Sequence, residues 1–318
     1  MTVAALIFLL GVGVLVGGAW VLVSGGTRVA SALGVPAVVV GLTVVAFGTS
    51  APELFVSLMG ALQGNAAIAL GNVIGSNVAN LGLILALAAL LRPVKVERAM
   101  RRREVPGMLA VSVLLALMVW DGVLSRPESA ALVVLFAVFL VLTARGAARG
   151  EVAVPRPAVQ IDRAHRTREV LLGTGLIVAG VVALAGGGRL IVDSAVTIAR
   201  SLGASEALIG LTLVAVGTSL PELATSIVAG LRRQDDLALG NIVGSNIFNI
   251  LGVAGPVGLV RPLVVDPGEG RLQVSAMVGI AALAWIMVSL RGRDVGRRGG
   301  LLLLAVYAAI MALWMAGD

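Results

Sequence analysis

The chain has 318 residues, of which 58% are hydrophobic and 13% charged, with a formal net charge of +7 and a mean hydropathy of +1.04. This balance excludes an ordinary soluble domain. Cysteine is absent, which excludes disulfides, zinc-thiolate sites and thiol catalysis.

Apolar stretches of about 20 residues, enough to cross a hydrocarbon core roughly 30 Å thick, follow one another from Leu6 to Met315. The first, from Val3 to Val23, has no basic residue before it and is too long for a cleavable signal, so it reads as a retained span. Charged or turn-rich breaks then delimit spans at 36–60, 66–91, 105–122, 128–145, 168–188, 204–231, 236–260, 272–290 and 299–316. The predicted fold class is an all-α integral membrane protein of ten transmembrane helices. Residues 1–146 form a first five-helix repeat, 147–167 a cytoplasmic linker loop, and 168–318 a second repeat.

About 19 of the 24 Lys and Arg lie in or beside the odd-numbered connections, Ser24 to Val35, Arg92 to Glu104, Gly146 to Thr167, Arg232 to Asp235 and Arg291 to Arg298. About 5 lie on the other side. Positive loops are retained in the cytoplasm, so both termini are expected outside the cell membrane. The Arg101, Arg102, Arg103 cluster reads as a topology determinant, and His165, the one histidine, as a solvated loop residue. Basic residues confined to short loops point to a lipid bilayer as partner, not to nucleic acid.

Two segments recur. Gly41-Leu-Thr-Val-Val-Ala-Phe-Gly-Thr-Ser-Ala-Pro-Glu-Leu54 returns 169 residues later as Gly210-Leu-Thr-Leu-Val-Ala-Val-Gly-Thr-Ser-Leu-Pro-Glu-Leu223. In the same register, Ala69-Leu-Gly-Asn-Val-Ile-Gly-Ser-Asn-Val-Ala-Asn80 returns as Ala238-Leu-Gly-Asn-Ile-Val-Gly-Ser-Asn-Ile-Phe-Asn249. Five spans separate the copies, an odd number, so the repeats are expected to be inverted and to meet near the midplane with broken helices at the site.

A carboxylate inside a membrane costs about 2.5–3.5 kcal/mol by insertion scales and calls for a partner. Glu53 and Glu222 are two such groups, and no Lys, Arg or His occurs between Val35 and Leu91 or between Ser201 and Leu231 to pair with them. A mobile cation is the remaining counter-charge. Helical spacing brings Thr49, Ser50 and Glu53 to one face, and likewise Thr218, Ser219 and Glu222. It also aligns Ser76 with Asn80 and Ser245 with Asn249. All these side chains offer oxygen, which suits a hard cation such as calcium or sodium. Pro52 and Pro221 lack the amide hydrogens that would bond the carbonyls of Gly48 and Gly217, so each Gly-Thr-Ser-x-Pro-Glu reads as an interrupted helix lining a cavity. Gly71, Gly75, Gly240 and Gly244 are spaced for close helix packing. Asn72 and Asn241 either bridge helices or line the pathway.

These motifs resemble the alpha repeats of the calcium/cation antiporter superfamily, closest to prokaryotic sodium/calcium exchangers with five plus five helices. The resemblance implies that Glu53 and Glu222 bind calcium centrally, with backbone oxygens from Thr49 and Thr218. It implies that Ala46, Ser50, Ser76 and Asn80 in one half, and Ala215, Ser219, Ser245 and Asn249 in the other, line adjacent sodium sites. It also implies that the first and sixth spans slide as a pair. Some members carry Asp where this chain has Asn249. The loop from Gly146 to Thr167 is too short for the large regulatory calcium-binding domains of animal exchangers.

The sequence-based expectation is a secondary antiporter that exports Ca2+ in exchange for Na+, with no cofactor. H+ and K+ are the alternative coupling ions, and a cation channel is the rival from another class. No H-E-x-x-H, G-x-S-x-G or Walker motif is present, which argues against an enzyme and against a nucleotide partner.

Overall fold

A computed structural model describes residues 2–148, 163–201, 215–290 and 294–317, and it is helical nearly throughout. The helices are α1 (Thr2–Leu33), α2 (Ala37–Thr49), α3 (Ala51–Leu62), α4 (Ala66–Leu91), α5 (100–118), α6 (Arg126–Ala148) and α7 (Arg163–Ser201). There follow α8 (Ala215–Thr218), α9 (Leu220–Leu231), α10 (Asp235–Val260), α11 (Pro267–Leu290) and α12 (Arg297–Gly317). Most of the linker expected at 147–167 and the start of the second motif copy, up to residue 214, lie outside the described residues.

Among the described residues, seven helices are long and apolar enough to cross a membrane, and the bent pair α2–α3 makes an eighth span. The expected span at 105–122 corresponds to α5, which combines a π-helical turn over Met100–Glu104 with the helix Val105–Met118. The one expected at 204–231 is represented by α8 and α9.

The first and sixth expected spans are longer than their apolar stretches. α1 has 32 residues and α7 has 39, roughly 48 and 58 Å at 1.5 Å per residue. The segment from Ser24 to Leu33, expected as a connection, is helical. Its polar side chains do not break the helix because they bond back onto it: Ser24 Oγ donates to Trp20 O at 2.7 Å and Thr27 Oγ1 to Val23 O at 2.8 Å.

α1 and α7 run antiparallel in close contact, and glycines at seven-residue intervals make this possible. A Cβ on Gly25 would fall 2.7 Å from Gly173 O, one on Gly180 2.7 Å from Leu22 N, and one on Gly187 2.6 Å from Leu15 N. Small residues let backbones meet where lipid supplies no hydrophobic drive between helices.

The centre of the molecule is α4 and α10, whose apolar stretches are mostly buried, whereas that of α6 is mostly exposed. Large apolar side chains such as Leu9, Phe55, Val134, Leu171 and Val182 are exposed around the outside, the arrangement a hydrocarbon solvent requires. Gly240 and Gly244 pack as their spacing predicts: a Cβ on Gly240 would lie 2.7 Å from Val38 O, and one on Gly244 2.7 Å from Leu42 Cα. Gly71 and Gly75 have no described atom within 4 Å of a Cβ position.

Two short antiparallel pairings close the two ends of the bundle, one at each end. β1 (Val94–Lys95) pairs with β4 (Asp294–Val295), and β2 (Val123–Leu124) with β3 (Leu263–Val264). The 169-residue register extends to both ends. Arg92 Nη1 donates to Gly230 O at the end of α9 at 3.1 Å, and Arg261 Nη1 to Ala61 O at the end of α3 at 3.5 Å. A guanidinium there satisfies orphan carbonyls and complements the helix dipole. The turns after α3 and α9 both use a left-handed residue, Gly64 at φ 84° and Arg233 at φ 60°.

Gly180→Val should force α1 from α7 and destabilise the protein by about 1–3 kcal/mol. Gly175→Val, where a Cβ meets no described atom within 4 Å, should change little. Thermal unfolding in detergent measures the difference.

Candidate cation site

The two motif copies place their glutamates alike. α2 and α3 meet at 45°, and the joint is Ser50, with φ −87° and ψ 8°. α8 and α9 meet at Ser219, with φ −87° and ψ 4°. Pro52 and Pro221 lie in the first turns of the new helices, where a missing N–H costs nothing. Glu53 and Glu222 occupy the same first turns and are fully buried. Negative charge is favoured at a helix N-terminus, which offsets part of the cost of holding them there.

Serine does not serve the glutamate of its own motif, as helical spacing suggests. The break at each serine turns the hydroxyl across to the other half: Ser50 Oγ donates to Glu222 Oε1 at 2.8 Å, and Ser219 Oγ to Glu53 Oε1 at 3.3 Å. The two carboxylates are thus joined into one polar cluster. Ser245 Oγ lies 3.5 Å from Glu222 Oε1 and 3.5 Å from Thr49 Oγ1.

The motif threonines and asparagines interlock in the same crossed fashion. Thr49 Oγ1 donates to Asn241 Oδ1 at 3.1 Å and Thr218 Oγ1 to Asn72 Oδ1 at 3.4 Å. Asn72 Nδ2 donates to Glu53 O at 3.1 Å and to Ser57 Oγ at 3.0 Å. Asn241 Nδ2 donates to Glu222 O at 3.4 Å and to Ser226 Oγ at 3.0 Å. Of the two readings of Asn72 and Asn241, helix bridging is the one observed. Ser57 and Ser226, which hold these asparagines, escaped the motif reading, although both stand one turn after a glutamate at the repeat offset.

Ser76, Asn80 and Asn249 are also buried, but they make no side-chain hydrogen bond among the described residues. Asn80 opens the π-helical turn Asn80–Ile84, and Asn249 the turn Asn249–Ala254. Such turns disturb the i→i−4 ladder and recur at functional sites. Ala46 O accepts from Thr49 Oγ1 at 3.3 Å. Ala215 begins α8, and its side chain lies outside what is described.

Oε2 of Glu53, Oε2 of Glu222 and the polar atoms of Ser76, Asn80 and Asn249 are buried without a partner among the described residues. Neither glutamate enters an ion pair there; the described ion pairs join Arg28 to Glu169, Arg92 to Asp235 and Arg189 to Asp193. Two carboxylates among hydroxyl, amide and carbonyl oxygens form an acceptor-rich cluster. Oxygen of this kind is what hard cations take.

Fold and site together define a multi-pass membrane protein with a buried oxygen-rich centre. The family model for sodium/calcium exchanger proteins matches residues 3–145 and 172–316, and the chain belongs to that family of membrane antiporters. It is 38% identical over 313 residues to the putative antiporter CaxA of Alkalimonas amylolytica, covering 96% of this chain and 97% of the relative. It is 34% identical over 348 residues to the sodium/calcium exchanger MaX1 of Methanosarcina acetivorans, covering 98% and 99%. A solved structure of the sodium-calcium exchanger NCX_Mj, soaked with 10 mM Na+ and zero Ca2+, superposes with a TM-score of 0.86 at 31% identity, covering 98% of this chain and 99% of that one.

Asn72→Ala would leave Ser57 and the Glu53 carbonyl without their donor. It should cost about 1–3 kcal/mol. The thermal unfolding temperature in detergent should fall.

Proposed function

We propose that this chain exports Ca2+ across the cell membrane in exchange for Na+, by alternating access, with Glu53 and Glu222 as the central calcium ligands. The observation that carries this reading is the pair of buried carboxylates, each bonded by the serine of the opposite half and neither matched by a basic group among the described residues. One divalent ion neutralises both charges. Sodium ions in neighbouring oxygen sites do the same, and the two loads therefore exclude each other.

In this reading Thr49 and Thr218 add backbone oxygens to calcium. Ala46, Ser50, Ser76 and Asn80, with Ala215, Ser219, Ser245 and Asn249, line the sodium sites. The unpartnered polar atoms of Ser76, Asn80 and Asn249 support that role. The crossed bonds at the 169-residue offset, from the motif threonines to Asn241 and Asn72, from the serines to the glutamates, and from Arg92 and Arg261 to helix ends, support ten helices in two inverted repeats. α1 and α7 slide together and expose the site to each side in turn. An empty carrier does not switch, because closing the site over two bare carboxylates is costly.

In proteoliposomes a sodium gradient alone should drive calcium uptake. Glu53→Ala and Glu222→Ala should each lower it at least about a hundredfold, the factor equivalent to roughly 2.7 kcal/mol. Uptake driven by a proton gradient or requiring potassium would replace the coupling ion, ion conductance without exchange would make the protein a channel, and undiminished flux in Glu53→Ala would remove the site.

The orientation has its own test, which the cysteine-free chain makes simple. An impermeant maleimide should label Thr2→Cys in intact cells, whereas Arg233→Cys should react only after permeabilisation. The reverse pattern would invert the topology.

A further inference from the structure

Away from the central site, a cleft of about 460 Å³ opens between α1, α7 and the end of α9. Its walls are Ser24, Thr27, Arg28 and Ser31 of α1, Glu169 of α7 and Arg232 at the C-terminal end of α9. Arg28 Nε contacts Glu169 Oε2 at 3.4 Å, and both side chains remain partly exposed. Arg232 reaches over from the core: its Nη1 donates to Ser24 Oγ at 2.6 Å and to Trp20 O at 3.3 Å, and its guanidinium stacks 4.8 Å from the centre of the exposed Trp20 ring.

Two guanidinium groups face one carboxylate across an open, hydroxyl-lined space, so the cleft carries an excess of positive charge. Guanidinium forks match phosphate oxygens in geometry, and hydroxyls supply further donors. An exposed tryptophan beside it marks the headgroup level of a bilayer. By the distribution of basic residues this end of the molecule faces the cytoplasmic leaflet, where anionic lipids concentrate.

We propose that this cleft binds the phosphate of an anionic phospholipid headgroup between Arg28 and Arg232. The bound lipid joins α1 to the end of α9 and holds the α1–α7 pair against the core. The binding site stands on geometry alone. Its effect on turnover rests on the exchanger reading, because only a carrier that slides α1 and α7 is slowed by a tie between them and the core.

Binding is measured first, on purified full-length protein in detergent, with radiolabelled short-chain phosphatidylglycerol and, in parallel, inorganic phosphate. Saturable phosphatidylglycerol binding is expected, weakened at least about tenfold in the Arg28→Gln/Arg232→Gln double variant. An unchanged unfolding temperature in detergent shows that the variant is folded; should it not fold, Arg28→Lys and Arg232→Lys, which keep charge but lose the fork, should weaken binding severalfold. Arginine-dependent binding of inorganic phosphate as tight as that of the lipid would assign the same phosphate chemistry to a soluble source. Absence of saturable binding of either probe, or binding indifferent to both sets of substitutions, overturns the site.

Transport follows in vesicles of phosphatidylcholine with and without a quarter of phosphatidylglycerol. The anionic lipid should slow wild-type exchange severalfold and leave the double variant unaffected. Equal slowing of both would show that the lipid acts elsewhere and would overturn the tie. Loss of sodium-driven exchange in wild-type protein in both lipids would instead count against the exchanger reading, with the binding result standing.

Discussion

Two carboxylates in a medium that cannot hydrate them set the terms for everything around them. Each glutamate begins a helix, so the dipole helps to hold it, and each receives a hydroxyl from the other half of the molecule. Those bonds reach only one oxygen of each carboxylate. The second oxygen is buried and unmatched among the described residues, a costly arrangement for a charged group inside a membrane.

The supporting shell follows from the same constraint. A cation site of low symmetry could be held by loops, but loops do not survive in hydrocarbon. Here each break between the paired helices is one residue, Ser50 or Ser219, and amides on α4 and α10 bond the carbonyl of the glutamate three residues beyond it. The helices that carry those amides lie at the centre of the bundle. Their asparagines therefore bond to backbone rather than to lipid or water, and glycine contacts with α2 allow α10 to come close enough.

Much of this was legible in the residues. The repeat, its offset, the glutamates, the breaks before the prolines and the lack of a basic partner are written in the motifs themselves. The direction of each serine was not, because helical spacing assumes a continuous helix and the hydroxyl belongs to the residue where continuity fails. The length of α1 was missed for a related reason: Ser24 and Thr27 look like a loop in composition, yet return their hydroxyls to the helix. The π turns at Asn80 and Asn249 have no compositional signature, and the glycine ladder between α1 and α7 was hidden in stretches read only for hydropathy.

The strand pairings divide the molecule in a way that chain order does not suggest. β1 with β4 and β2 with β3 fasten the connection after α4 to the one before α12, and the connection after α5 to the one after α10. Neither clip includes α1 or α7. The duplicated halves are thus interwoven into one stapled body, while the first helix of one half and its counterpart in the other are held mainly to each other. The sequence duplication and the packing therefore partition this protein along different lines.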